Sequence, residues 1–313
     1  HQKKYAMPKM NLTRSITINK QPSEVFPLIS NFDNWGTWSP WLIMEKGVKV
    51  TVADDKKYYE WDGDITGAGN MKITKEVENE SINIDLQFLK PWKSTAKVGF
   101  TFAPEGEGTK VSWSMDSSLP FFMFWMKKMM VAFISLDYDR GLNLLKDLAE
   151  DGKVHSTLDF KGDSSFDGCN YIGIKVDGSI DEMKNTMSAS FGKLMEYMKD
   201  KQDLMTGAPF SIYHKWDMVK QQCNYTACIP VSKTPENLPN GVITGTVPKT
   251  KTYAIHHLGP YRHIGNAWSA IYSRQRAKKF KLNKSIDPME FYLNSPTDTA
   301  ENDLQTEIHF AVK

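Results

Sequence analysis

Apolar side chains recur along this chain in two rhythms, and the switches between them divide it into elements. Residues 12–19 alternate, with Leu12, Ile16 and Ile18 against Thr13, Thr17 and Asn19, which predicts a half-buried strand. From Pro22 the spacing turns helical through Val25, Phe26, Leu28 and Ile29, and the chain then enters the aromatic stretch FDNWGTWSPW at 32–41. Residues 49–114 read as successive strands cut by turn signals at Asp54-Asp55, 67–70, 78–80, Lys90-Pro91 and 104–108. This predicts an antiparallel meander. It closes in a long, predominantly helical stretch at 121–150, where Leu142, Leu145 and Leu148 keep helical spacing.

The second half repeats an order of elements. A strand at 169–176 leads to Ser179 and Glu182, a capping-box pattern, ahead of Ile180, Met183, Met187, Phe191, Leu194 and Met198 at helical spacing. Strands at 209–216 and 224–231 follow. From Lys249 the same sequence returns: a strand through Leu258, a helix at 261–279, and strands at 289–294 and 305–312. Between the strand through Leu258 and the helix at 261–279, Gly259 frees the backbone for a corner and Pro260 suits a helix start. Two helix-on-sheet halves facing each other leave a groove between them.

Composition sets bounds on this picture. A chain of 313 residues, 40% hydrophobic and 24% charged, holds two ordinary globular domains, read here as 10–153 and 165–313. The polar, Gly-containing stretch KGDSSFDGCN at 161–170 is read as part of their connection. A net charge of +2 does not advertise nucleic acid, and the basic run at 274–284 suits the negative end of the helix before it. Cys169, Cys223 and Cys228 read as free thiols, because Cys223 and Cys228 point to opposite faces of one strand. No apolar run reaches the ~20 residues that span a bilayer; 119–136 is split by Lys127 and Lys128. The chain starts at His1, so an anchor or signal ahead of it would be missing, and what is given reads as soluble and cytoplasmic.

Particular residues carry two resemblances. I-x-I-N-x-x-P-x-x-V-F (Ile16 to Phe26), F-D-N-W, Y-x-W-x-G from Tyr59, G-T-K-V-S-W from Gly108 and G-L-x-x-L-K from Gly141 resemble the START-related, polyketide-cyclase-like helix-grip family. His257, Gly259, Pro260, Tyr261, Trp268, Glu290, Tyr292 and Thr306 to Ile308 resemble the gyrase-inhibitor-like (GyrI-like) small-molecule-binding domain, also the effector domain of multidrug-sensing regulators. Together they imply an α+β chain: an antiparallel sheet around a long C-terminal helix, then a pseudo-twofold β-α-β-β duplication. The first implies an apolar cavity, which Trp61, Trp92 and Trp113 would line unless they are plain core. Residues 121–125 could gate the cavity mouth or touch a membrane surface, and are read as packing the helix start on the sheet. The absence of a helix-turn-helix segment departs from the regulators, and DNA is not expected as a partner.

In the second half, Glu290 lies in an otherwise apolar strand, where an unpaired carboxylate is costly to bury. Alternation puts Glu290 and Tyr292 on one face and Glu307, His309 and Ala311 on one face of the last strand. Taking the apolar faces as core assigns Glu290, Tyr292 and His309 to the groove, joined by Tyr213, Tyr261 and Trp268. The GyrI-like resemblance implies that the matching Glu centres an aromatic pocket for hydrophobic, often cationic, ligands, and in some members assists hydrolysis of electrophiles. Two functions follow: ligand binding, or cofactor-free hydrolysis with Glu290 as general base and a Tyr or His309 orienting the substrate. A plain salt bridge from Glu290 to Arg262 or a nearby Lys is the bland alternative. Neither function calls for a cofactor or metal, and His256 and His257 lack a metal-binding helical spacing.

Overall fold

The computed structural model describes residues 7–313, so the start at His1 lies outside the described residues. The fold is α+β, with two antiparallel sheets in two compact units that part between Ser156 and Thr157. Among the described residues no helix is long and apolar enough to cross a membrane.

The first unit begins with β1 (Lys9–Ile18), α1 (Pro22–Ser30) and α2 (Trp35–Trp38). The meander follows as β2 (Lys49–Val52), β3 (Tyr58–Gly63), β4 (Gly67–Val77), β5 (Ser81–Lys90), β6 (Ser94–Glu105) and β7 (Gly108–Ser118). Its order is β1-β7-β6-β5-β4-β3-β2, with all of β1 laid antiparallel along β7 from Lys9↔Ser118 to Ile18↔Thr109. Pro22 opens α1, where the Glu24 carboxylate accepts from the Gln21 N–H at 3.0 Å, so an orphan donor is satisfied. The long α3 (Lys127–Asp151) buries Tyr138, Leu142 and Leu145 in one stripe and ends at Gly152, whose φ of 68° is costly for other residues.

The space between sheet and helix is filled by rings. Trp113 stacks on Tyr138 at 3.8 Å between centroids and on Phe100 at 4.9 Å, with Trp35 and Trp38 edge-on to both Trp113 and Phe100. Gly141 makes room for this stack, since a Cβ there would come within 2.9 Å of the Trp113 ring and 3.0 Å of Pro40. Of the three candidate cavity tryptophans, Trp113 is therefore core, Trp61 is half-buried beside Tyr59 and Phe88, and Trp92 is exposed. Residues 121–125 also differ from expectation. They form a 3₁₀ turn whose rings, Phe121, Phe122, Phe124 and Trp125, face outward instead of packing on the sheet.

The second unit contains β8 (Thr157–Phe166), β9 (Cys169–Ser179), α4 (Met183–Met198), β10 (Phe210–Asp217) and β11 (Gln222–Val231). It continues with β12 (Ile243–Val247), β13 (Thr250–Leu258), α5 (Gly265–Arg276), β14 (Met289–Tyr292) and β15 (Gln305–Val312). The sheet order, β12-β9-β11-β10-β14-β15-β13-β8, is symmetric about the β10·β14 pair. Each β-α-β-β half is edged by the strand that precedes the other half: β8 pairs with β13, and β12 with β9. Residues 161–166, read from sequence as connection, are thus part of an edge strand. The links Asp167-Gly168 and Pro248-Lys249 lie in contact where the exchanged strands cross. A Cβ on Gly168 (φ 82°) would meet backbone atoms at 2.7 Å, so this crossing requires glycine.

Candidate ligand-binding site

The β10·β14 seam is short: Phe210↔Phe291, Ser211↔Glu290 and Ile212↔Met289. Directly opposed residues share a face, so Ser211 and Glu290 point the same way, as does Tyr213 two residues along. On the other side of β14, Ile308 opposes Glu290 and Thr306 opposes Tyr292. This face receives α4 and α5, whose Leu194, Met198 and Trp268 pack with Tyr213, Tyr225 and Ala227.

Glu290 is 4% exposed and its carboxylate is held by three neutral donors. Trp268 Nε1–H donates to Oε2 at 2.5 Å, while the Tyr292 and Tyr213 hydroxyls donate to Oε1 at 2.8 Å and 3.2 Å. Tyr292 also shares a hydrogen bond with Ser211 Oγ at 2.9 Å, and Met187 Sδ lies 3.3 Å from its oxygen. The walls are aromatic: Tyr213 meets Trp268 edge-on at 5.0 Å, Phe191 meets Tyr292 at 5.5 Å and Tyr261 meets Tyr292 at 5.9 Å. Gly259, with φ 142°, turns the chain out of β13, and the Pro260 corner then sets Tyr261 half-open to solvent at the head of α5.

Burial raises the Glu290 pKa above its ordinary 4.5, and the three hydrogen bonds only partly offset this. The same burial, with the Glu290 charge beside them, pushes the Tyr213 and Tyr292 hydroxyls well above the usual phenol range. Both therefore stay protonated as donors. Among the described residues Glu290 has no ion pair. Arg262 does not supply one; it pairs with Glu301 at 2.6 Å.

Five of the six expected side chains, Tyr213, Tyr261, Trp268, Glu290 and Tyr292, thus converge. His309 does not. It opposes Met289, on the far face of the sheet, with Nε2 2.8 Å from Glu307, Nδ1 2.8 Å from Thr252 Oγ1, and its ring against Phe291. Taking the apolar face of β15 as core sends its polar face, with His309, to the groove. Register decides otherwise, because Ile308 and Phe310 back the site, Phe310 lying 5.8 Å from the Trp268 ring. Ser211, Met187 and Phe191 were not anticipated. Ser211 is legible as the residue two before Tyr213, whereas a methionine stripe at helical spacing fits packing on a sheet as well as an adaptable pocket. A cavity of about 380 Å³ lies on the far face, against Phe210, Phe291, Pro230 and residues 165–169.

Residues 166–313 match the family described as GyrI-like small molecule binding domain. Residues 9–150 match the family of polyketide cyclase / dehydrase and lipid transport. No curated protein matches the chain. Solved structures similar to it include the EcmrR–DNA complex in EcmrR-RPo, 16% identical over 59% of this chain and 68% of that one, with a TM-score of 0.43. The EcmrR C-terminal domain is 18% identical over 50% of this chain and 96% of its own, with a TM-score of 0.37. The Aha1 dimer from Colwellia psychrerythraea is 18% identical over 46% and 98%, with a TM-score of 0.35. The chain thus joins a polyketide cyclase-like domain to a GyrI-like domain that binds small molecules.

Proposed function

We propose that the second unit captures hydrophobic cations in the aromatic groove around Glu290. One observation carries this: a carboxylate buried among rings, held by three neutral donors and by no cation. A buried charge without a counterion costs several kcal/mol. A ligand cation seated against Glu290 removes that cost, and the faces of Tyr213, Tyr261, Trp268 and Tyr292 add cation-π attraction. Binding a cation favours the ionised carboxylate, so affinity falls as pH drops through the raised Glu290 pKa. The test is a tryptophan-fluorescence titration with a lipophilic quaternary cation and its neutral isostere, on wild type and Glu290→Gln. Equal affinities in the two proteins would reject Glu290 as the anchor.

The elevated carboxyl pKa also supports a second reading, hydrolysis of an electrophile with Glu290 as general base. It is the weaker one, because three donors already occupy most of the carboxylate's lone pairs. Mass spectrometry after incubation with epoxides and activated esters tests it. Turnover that persists in Glu290→Gln would remove this mechanism.

A further inference from the structure

The first unit carries an exposed aromatic rim that ligand binding in the second unit does not use. The 3₁₀ turn after β7 presents Phe121, Phe122 (74% exposed), Phe124 and Trp125 (68%), with Lys127 and Lys128 next in sequence and exposed. A second segment presents the same chemistry: the β5–β6 turn exposes Leu89 and Trp92 (49%) beside Lys90 and Lys93. Register places both at one end of the sheet, because Ala96 at the start of β6 opposes Ser117 at the end of β7. The start of β1 reaches the same end. Lys9 opposes Ser118, Leu119 N–H donates to the Pro8 carbonyl at 3.0 Å, and Met7 is exposed.

Large exposed rings in two separate loops at one rim are costly in water and mark a surface that is covered in use. Charge says what covers it. No Asp or Glu occurs from Ser117 to Leu136 or from Leu86 to Pro104. The end of β3 and its turn into β4, at the far side of the same rim, carry Asp62 and Asp64, and Asp62 holds Lys90 at 3.5 Å. Lys9, Lys93, Lys127 and Lys128 make no ion pair among the described residues, so the rim is basic where its rings are most exposed. Apolar rings flanked by lysines suit the boundary between headgroups and acyl chains, and Trp125 can enter it without an unpaired donor because its indole N–H donates to the Phe122 carbonyl at 3.1 Å. We propose that this rim docks on an anionic lipid surface, Phe122, Phe124 and Trp125 entering the headgroup layer and Lys93, Lys127 and Lys128 meeting lipid phosphates. The chain lies on the bilayer through these loops and does not cross it with them.

The test is co-sedimentation of the full chain with vesicles of phosphatidylcholine alone or mixed with phosphatidylglycerol. Binding is expected to the mixed vesicles, weakening steeply toward about 0.5 M salt. Phe122→Ser/Trp125→Ser and Lys127→Glu/Lys128→Glu should each lower partitioning at least about ten-fold, with an unchanged Tm because these side chains are exposed. Equal binding of wild type and both variants, equal binding to neutral vesicles, or no binding at all would overturn the proposal. A dimer that Phe122→Ser/Trp125→Ser turns into monomer, without vesicle binding, would also overturn it and assign the rim to self-association.

Discussion

Glu290 and Glu307 sit on neighbouring strands of one sheet, face opposite ways, and are kept in opposite electrostatic states. Glu307 is held by His256 at 3.1 Å, His309 at 2.8 Å and Lys161 at 3.3 Å, and these partners hold its pKa far below the carboxylate range. Glu290 is buried more deeply, has only neutral donors, and its pKa is raised. Burial of a carboxylate alone is therefore no sign of function. The charge of its neighbours distinguishes Glu307, whose cations fix it in the fold, from Glu290, which on the proposed function is left to accept a ligand. Among the described residues no group of three or more His, Cys, Asp and Glu is placed to hold a metal.

The largest effect should come from the compensated site. Glu307→Ala leaves His256, His309 and Lys161 without their acceptor and should cost about 3 kcal/mol in urea unfolding at neutral pH. A depressed folded-state pKa contributes stability that is present above the ordinary value of 4.5 and lost as pH falls toward the folded pKa. Below pH ~4.5 the wild type should therefore lose stability more steeply than Glu307→Ala. Glu290→Gln should do the reverse. It lowers affinity for a lipophilic cation about ten-fold or more, yet leaves stability equal or higher, since a raised carboxyl pKa means the ionised form opposes folding. Its advantage in stability should widen as pH rises above 4.5 through the raised pKa; a constant difference across that range would break the contrast. Trp268→Phe removes one donor to the carboxylate, so the midpoint for pH-dependent binding should move upward, with about a three-fold loss of affinity at neutral pH. The smallest effect on binding belongs to His309→Gln, where titration should match wild type within about two-fold despite a loss near 1 kcal/mol in stability.

The mismatches between sequence and structure have separate physical origins. Glu290, Tyr292, Tyr213 and Trp268 were legible because a carboxylate in an apolar strand and rings at fixed spacing leave little freedom in where they point. His309 was misplaced because period two says which side chains share a face but not which face meets the helices; that depends on pairing with β14, a long-range fact. β8 escaped notice because its apolar alternation, Leu158 and Phe160, gives way to Gly162 and Ser164 on the same face, and Lys161, Gly162 and Asp163 read as a loop. Residues 121–125 show the converse failure. Five apolar side chains in a row predict burial only if something packs on them.

The exchange of β8 and β12 between the halves of the second unit has a kinetic consequence. Neither half can complete its own edge from nearby sequence; β8 must wait for β13, and β12 must find β9. The contacts that finish the sheet are thus among the most distant in sequence, where loop-closure entropy slows folding. The seam bearing Glu290 forms between two such mutually clasped halves. Residues 157–313 should accordingly melt in a single step, and amide exchange at Ala254 of β13 and Gly173 of β9 should slow together, late in refolding. A persistent species with only one half protected would show that the clasp closes after the site is built.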